Sequence, residues 1–356
     1  MAKRYLQLAD GRVFEGEAFG APGETAGELV FSTGMVGYME ALSDPRYHGQ
    51  ILMQTYPLIG NYGVIPADMV SEGLHPRAYV VRELCGEPSN YRSEGALNDL
   101  LRAQGVIGIS GVDTRALTVI LRECGTMPAR ITDEIPAEND IAWADGLPAV
   151  SVAEVVPAEV RTYAPAGETV GRAALIDCGC GASLARAMAE CGIAVTAYPP
   201  TAAAEEIMSD SPDLLAVSDG PMDPRDPDPA AAQVIALLQA LVGKIPAFGV
   251  GLGHLLMALS QGAKVCRLKV GHRGANQPVK CLADGRISIT AQNHGHAVDA
   301  ATLPEGAVCT HINVNDGSCA GIAYPALHAR SIQYDPTAAE LDGVISAAKE
   351  AAIHAL

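Results

Sequence analysis

The chain has 356 residues, 49% of them hydrophobic and 18% charged, which is enough apolar material for a real core and excludes a disordered chain or a coiled coil. A formal net charge of −17 argues against nucleic acid or an anionic membrane as the main partner, because phosphates would be repelled. No stretch reads as a signal peptide or a bilayer-spanning run, and the nine cysteines, scattered from Cys85 to Cys319, do not form a disulfide framework, so reduced thiols in the cytoplasm are expected.

Residues 1–148 are rich in short β-like runs and read as a mixed α+β domain. "YLQLADGRVFEGEAFG" alternates on either side of Asp10-Gly11, a hairpin signal. "QILMQTYPLIGNYG" is an apolar run closed by Pro and Gly. "DTRALTVILREC" has helical periodicity, with Asp113 or Thr114 as its N-cap. Residues 149–171 carry prolines and no period, and read as a linker.

From residue 172 to 356 the grammar changes. "AALIDCG" is a buried-strand pattern, and "SLARAMAECG" a helix capped by Ser183 and ended near Gly192. "IAVTAYP" and "DLLAVSDGP" are strands, "PAAAQVIALLQALVG" is a helix, and "IPAFGVG" is a further strand. Strands alternating with helices predict βαβ units around a mainly parallel sheet. Short β runs with a turn at Asp284-Gly285 follow Lys264, and a last helix starts near Thr337. In such sheets ligands bind at the carboxyl ends of the strands. The turns at Asp177–Gly181, Ser218–Asp223 and Gly249–Gly253 are therefore expected to line one cleft.

The last of these turns, Gly249-Val250-Gly251-Leu252-Gly253, is the most informative. It fails the dinucleotide fingerprint because the sixth position is His254, and it lacks the Lys-Ser/Thr of a phosphate loop. An isolated turn of this kind would be only a tight corner that needs glycine. However, "FGVGLGHLLMALSQGAKV" resembles the nucleophile elbow of class I glutamine amidotransferases, whose pattern is Phe/Gly-Ile/Val-Cys-x-Gly-His-Gln. "VSDGPMDP" resembles their Ser-Asn-Gly-Pro-Gly-Asp-Pro loop. "VGHRGANQPVK", "ITAQNHGHAVD" and, in the first half, "FSTGMVGYMEALSDPRYHGQILMQTYPLIGNYG" and "GVDTRALTVILRECGTMPARI" are similar to segments of one branch, the small-subunit family of carbamoyl-phosphate synthetases.

The resemblance implies a flavodoxin-like amidotransferase domain behind the N-terminal one. In that family a cysteine attacks the glutamine amide, a His oriented by a Glu acts as its base, and two backbone N–H groups hold the oxyanion. Position by position, the nucleophile seat is Gly251, the base is Asp335 and the orienter is Thr337. Gly220 and Leu252 are left to supply the oxyanion N–H groups. Gly34, Met222, Leu255, Asn293, Gly295 and His296 are the substrate-pocket remnants, with Gly34 in place of a serine and Leu255 in place of a glutamine.

The resemblance thus implies a cytoplasmic subunit bound to a synthetase large subunit and supporting carbamoyl phosphate synthesis for pyrimidines and arginine. Its own glutaminase is expected to be lost or very weak, so that the complex would use free ammonia. No cofactor is expected in this chain, since ATP, Mg and bicarbonate belong to the large subunit. No metal is expected either, and His254, His272 and His294 read as structural. Two rivals remain. One is a stand-alone sensor of an amide or amino acid, such as glutamine in the remnant pocket. The other is an amidohydrolase using Cys178 or Cys180, against which a small buried thiol is the plainer reading.

Overall fold

The computed structural model describes residues 2–137, 140–147, 150–225 and 229–354. The chain divides into two compact units, Met1–Ala149 and Val150–Leu356.

The first unit carries β1 (Lys3–Leu8), β2 (Val13–Gly20), β3 (Thr25–Ser32), α1 (Tyr38–Leu42), β4 (Ile51–Gln54), β5 (Leu58–Ile59), β6 (Ala78–Val80), β7 (Glu83–Leu84), α2 (Leu97–Ala103), β8 (Ile107–Ser110), α3 (Thr114–Cys124) and β9 (Met127–Thr132). The expected hairpin forms, with Leu6 opposite Phe14 and Gly11 in the turn at φ 91°. Seven strands close into a barrel in the order β1-β2-β8-β6-β4-β3-β9, while β5 and β7 pair separately. Alternation along β4 sorts its side chains onto two faces. Ile51 and Met53 pack in a cluster with Leu117 and Leu121 of α3. Leu52, between them, joins Tyr38, Met39 and Leu42 of α1 and Leu97 and Leu101 of α2. Helix α3 begins where the sequence placed it, with the Asp113 carboxylate accepting from Ala116 N at 2.9 Å.

The second unit contains β10 (Arg161–Tyr163), β11 (Gly171–Ile176), α4 (Gly181–Glu190), β12 (Ile193–Tyr198), α5 (Ala204–Ser209), β13 (Leu214–Val217), α6 (Pro229–Leu241), β14 (Ala247–Val250), α7 (Leu252–Ser260), β15 (Val265–Cys281), β16 (Ile287–Val298), β17 (Val308–Asn313), β18 (Cys319–Tyr324), β19 (Ala329–Ile332) and α8 (Ala338–His354). They build a ten-stranded sheet in the order β10-β12-β11-β13-β14-β19-β18-β16-β15-β17. Strands β12, β11, β13, β14 and β19 are parallel, as the alternating pattern predicted. Two hydrophobic clusters line the sheet. One includes Ile176, Val217, Leu238 and Leu256, the other Leu175, Ala216, Phe248 and Leu341.

Three local readings change. Helix α4 starts at Gly181, ahead of Ser183. The Asp177 carboxylate accepts from Gly179 N at 2.9 Å and Gly181 N at 2.8 Å, so it meets the donors where the helix begins, two residues before Ser183. The segment after Lys264 opens with two long strands, and the expected short runs follow as β17, β18 and β19. β15 and β16 stay paired across register shifts at Arg267/His272 and Gly274/Gln277, and bulges of this kind interrupt the alternation that marks a strand in sequence. Within residues 149–171, Val152 is buried in the second unit's core and β10 adds an antiparallel edge to β12.

Candidate active site

The chain runs from β11 through α4 to β12, then crosses back through α5 to β13 on the other side of β11. This reversal of strand order opens a crevice at the carboxyl ends of β11 and β13. The three predicted turns meet there. Cys180 N donates to Asp219 O at 2.9 Å, and Gly253 N to Ser218 O at 3.1 Å. Ser218, fully buried, holds the loop by accepting from Cys178 N at 2.8 Å and donating to Asp219 O at 2.9 Å.

Gly251 is the corner between β14 and α7. Its φ of 55° and ψ of −113° form the sharp strand-to-helix turn of a nucleophile elbow, a backbone that an ordinary side chain adopts only under strain. Its N–H donates to Ile332 O of β19 at 2.9 Å. Gly253 is glycine for another reason, because a Cβ there would press within 3 Å of the Val217 backbone carbon. A side chain at 253 would push α7 away from β13.

The N–H groups in the first turn of α7 lack the full set of i−4 partners and are met in several ways. Gly253 N reaches Ser218 O, while His254 N and Leu255 N reach Gly251 O at 3.1 and 3.3 Å. Leu252 N donates to Asp219 Oδ1 at 2.6 Å, and Gly220 N donates to the same oxygen at 2.8 Å. The two N–H groups assigned to the oxyanion thus converge on one carboxylate oxygen. A carboxylate is well placed there, at the positive end of the α7 dipole. A Cβ built on Gly251 would overlap the Asp219 carboxylate carbon and both its oxygens. Sequence reasoning missed Asp219, which differs from the asparagine of the family loop only in its terminal group.

The residues expected to line a pocket are placed as follows. Leu255 and Met222 belong to one buried hydrophobic cluster with Leu252, Leu256 and Cys178. His296, on β16, lies 3.2 Å from Asp223 Oδ1, tying that strand to the loop after β13. Burial pushes the Asp223 carboxyl up, but the contacts from His296 and Arg225 outweigh it and hold the group well below the usual carboxylate range. Asn293 and Gly295 lie beside His296 on β16, Asn293 being paired in register with Arg273. Gly34 belongs to the first unit, where its carbonyl accepts from Gln54 Nε2 at 2.8 Å.

Asp335 follows Ile332 by three residues and anchors its backbone to Ala291 O at 3.0 Å. Thr337, expected as its orienter, is bonded instead to Glu340. Its N–H and hydroxyl both donate to Glu340 Oε2 at 2.8 Å, and its hydroxyl accepts from Glu340 N at 3.3 Å. That is a capping box at the start of α8, announced in sequence by Thr-x-x-Glu.

The histidines are engaged individually. His254 is fully buried with Nδ1 2.8 Å from Ser331 Oγ, and burial pushes its pKa down to about 3. Burial also drives His294 well below the ordinary value, with neighbouring His272 adding to the effect. His272 itself sits between Asp316 at 2.9 Å and Asn313 at 3.2 Å. Among the described residues no cluster of three or more His, Cys, Asp or Glu side chains is arranged to hold a metal. No helix among them is long and apolar enough to cross a membrane. A shallow pocket lined by Tyr163, Arg172, Thr196 and Asp210 lies near the amino end of β11 and contains none of the elbow residues.

Comparison with known proteins adds a family to this geometry. Residues 6–131 match the model of the carbamoyl-phosphate synthase small chain, CPSase domain, and residues 174–340 match that of glutamine amidotransferase class-I. The carbamoyl phosphate synthase small chain of Lactococcus lactis is 41% identical over 344 residues, covering 95% of this chain and 94% of its own. The chain belongs to the carbamoyl-phosphate synthase small-chain family. A relative of the same description from Archaeoglobus fulgidus is 43% identical, with 94% of each chain covered. Among solved structures, a glutamine amidotransferase from Thermotoga maritima aligns with 47% of this chain and 76% of its own, at a TM-score of 0.38 and 20% identity. In this small-chain family member glycine stands at the corner between β14 and α7, and Leu252 N and Gly220 N meet on Asp219 Oδ1.

Proposed function

We propose that this chain is a carbamoyl-phosphate synthase small subunit that has kept its scaffold role and lost glutamine hydrolysis. The observation that carries the reading is Gly251, an elbow residue with no side chain to attack an amide. Acyl transfer through a thioester needs a thiolate at that corner. Asp335 in place of the base, Thr337 capping α8 and Leu255 packed into the core all point the same way. An oxyanion site without a nucleophile would leave at most slow attack by water, orders of magnitude below a complete triad.

In this reading the chain docks on the large synthetase subunit in the cytoplasm, and the complex takes free ammonia, or ammonia from another source, for pyrimidine and arginine synthesis. ATP, Mg and bicarbonate act on the large subunit. A glutamine sensor gains no support, because it needs an open pocket where Leu255 and Met222 are packed together. An amidohydrolase could not use Cys178, which is fully buried, and would have to rely on the half-buried Cys180. The test is glutamate release from glutamine by the chain copurified with its large subunit. Release at no more than the rate without protein is expected, and catalytic release would overturn the proposal.

A further inference from the structure

We infer that the Asp219 carboxylate is a built-in occupant of the oxyanion site and that Gly251 and Asp219 form one interdependent pair. Resting on the reading of the elbow as a former glutaminase site, the inference names what closes it: a side chain of the protein's own.

Three observations converge on this pair. First, Leu252 N and Gly220 N, which come from different loops 32 residues apart in sequence, both donate to Asp219 Oδ1, at 2.6 and 2.8 Å. Two N–H groups focused on a single anionic oxygen are the arrangement that holds the oxyanion of a tetrahedral intermediate. Here the acceptor oxygen is covalently part of the chain. Second, the carboxylate lies in the volume that the first carbon of any side chain at position 251 would need. Third, Asp219 is itself buried, 8% exposed, on a loop fixed by Ser218 and by the bond from Cys180 N. An acyl group entering the site would have to displace an intramolecular contact that is favoured by the high effective concentration of a tethered group.

The pair explains why replacing one residue cannot rebuild the site. A cysteine placed at 251 would meet the carboxylate before it met substrate. Conversely, Asp219 can point into the corner only because Gly251 leaves it empty. The site is therefore closed to acyl chemistry twice over, by a missing nucleophile and by a resident anion.

The experiment is a double-mutant cycle on the full chain with Gly251→Ala, Asp219→Ala and the two combined. Urea unfolding is followed by circular dichroism, while the fluorescence of Trp143, the single tryptophan, reports the first unit separately. Backbone strain from φ 55° is common to both backgrounds and cancels. The overlap with the carboxylate does not cancel. Gly251→Ala should raise the unfolding constant about 30-fold more with Asp219 present than with alanine at 219. Equal factors in the two backgrounds would overturn the inference. A double variant that folds where Gly251→Ala alone does not would support it.

A second readout needs only Asp219→Ala. Hydrogen exchange at the Leu252 and Gly220 amides should accelerate at least about tenfold when their shared acceptor is removed. Unchanged exchange at both amides would overturn the inference. Neither readout depends on nitrogen donors, so failure here would leave the proposed loss of glutaminase standing. Glutamine-driven turnover would sink that loss without moving either amide.

Discussion

Lowering the pH from 7 to 5 should destabilise the second unit through His254, a residue of the elbow helix itself. The ring is fully buried beneath α7 with Nδ1 on Ser331 Oγ, and burial pushes its pKa down to about 3 from an ordinary 6.5. The folded-state value lies below the unfolded one, so between pH 3 and 6.5 the unfolded chain binds more protons. The stability from the neutral ring is complete above pH 6.5 and is lost as the pH falls toward 3. At pH 5 the loss comes to about 2 kcal/mol, or ~30-fold in the unfolding constant. His294, also held neutral by burial, adds a loss of the same sign. Urea unfolding of wild type and His254→Asn at pH 7, 6 and 5 isolates the one ring, since asparagine retains a polar group toward Ser331 and does not titrate. The variant should show a pH dependence smaller by about 2 kcal/mol between pH 7 and 5. Identical pH dependence in the two proteins would refute the buried neutral ring.

Leu255→Gln restores the residue of the family motif but places an amide in the cluster with Leu252, Leu256 and Met222. It should cost about 3 kcal/mol of stability and confer no glutamine binding by calorimetry, and measurable heat with glutamine would show that the pocket is still open. Thr337→Ala removes the hydroxyl half of the capping box and should cost about 1 kcal/mol, with faster amide exchange confined to the first turn of α8. If Thr337 instead served the elbow chemistry, that exchange would be unchanged. Cys178→Ser buries a hydroxyl in an apolar cluster. It should lower stability by about 1 to 3 kcal/mol without altering ammonia-dependent carbamoyl phosphate formation, whereas loss of that activity would point to a working thiol.

Much of the fold was legible because its signals are local. The switch from paired β runs to alternating strands and helices marks the change between the units. The Asp10-Gly11 hairpin and the Asp113 cap follow from residue chemistry alone. The closing of the barrel was not legible, because β9 pairs with both β1 and β3 and no pattern within a strand records its two neighbours. The length of β15 was hidden by Gly271, Gly274 and Pro278, which interrupt the apolar–polar alternation and lie within a bulged ribbon.

At the site, the vacancy at Gly251 could be read because an elbow has a fixed grammar and one position in it was empty. Thr337 carried a local signal, Thr-x-x-Glu, that the family pattern overshadowed. Asp219 was invisible for a different reason. Its partner Leu252 lies 33 residues further on, and only the parallel pairing of β13 with β14 brings the two loops together. The size of aspartate matches that of asparagine, so what the exchange does becomes apparent only where the carboxylate lands.

The most direct test of the central claim is the choice of nitrogen donor. The chain, copurified with its large subunit, is supplied with ATP, Mg and bicarbonate and with either glutamine or ammonium chloride, and carbamoyl phosphate is measured. The account predicts robust synthesis from ammonium and none above background from ammonia-free glutamine. Comparable synthesis from glutamine would contradict it.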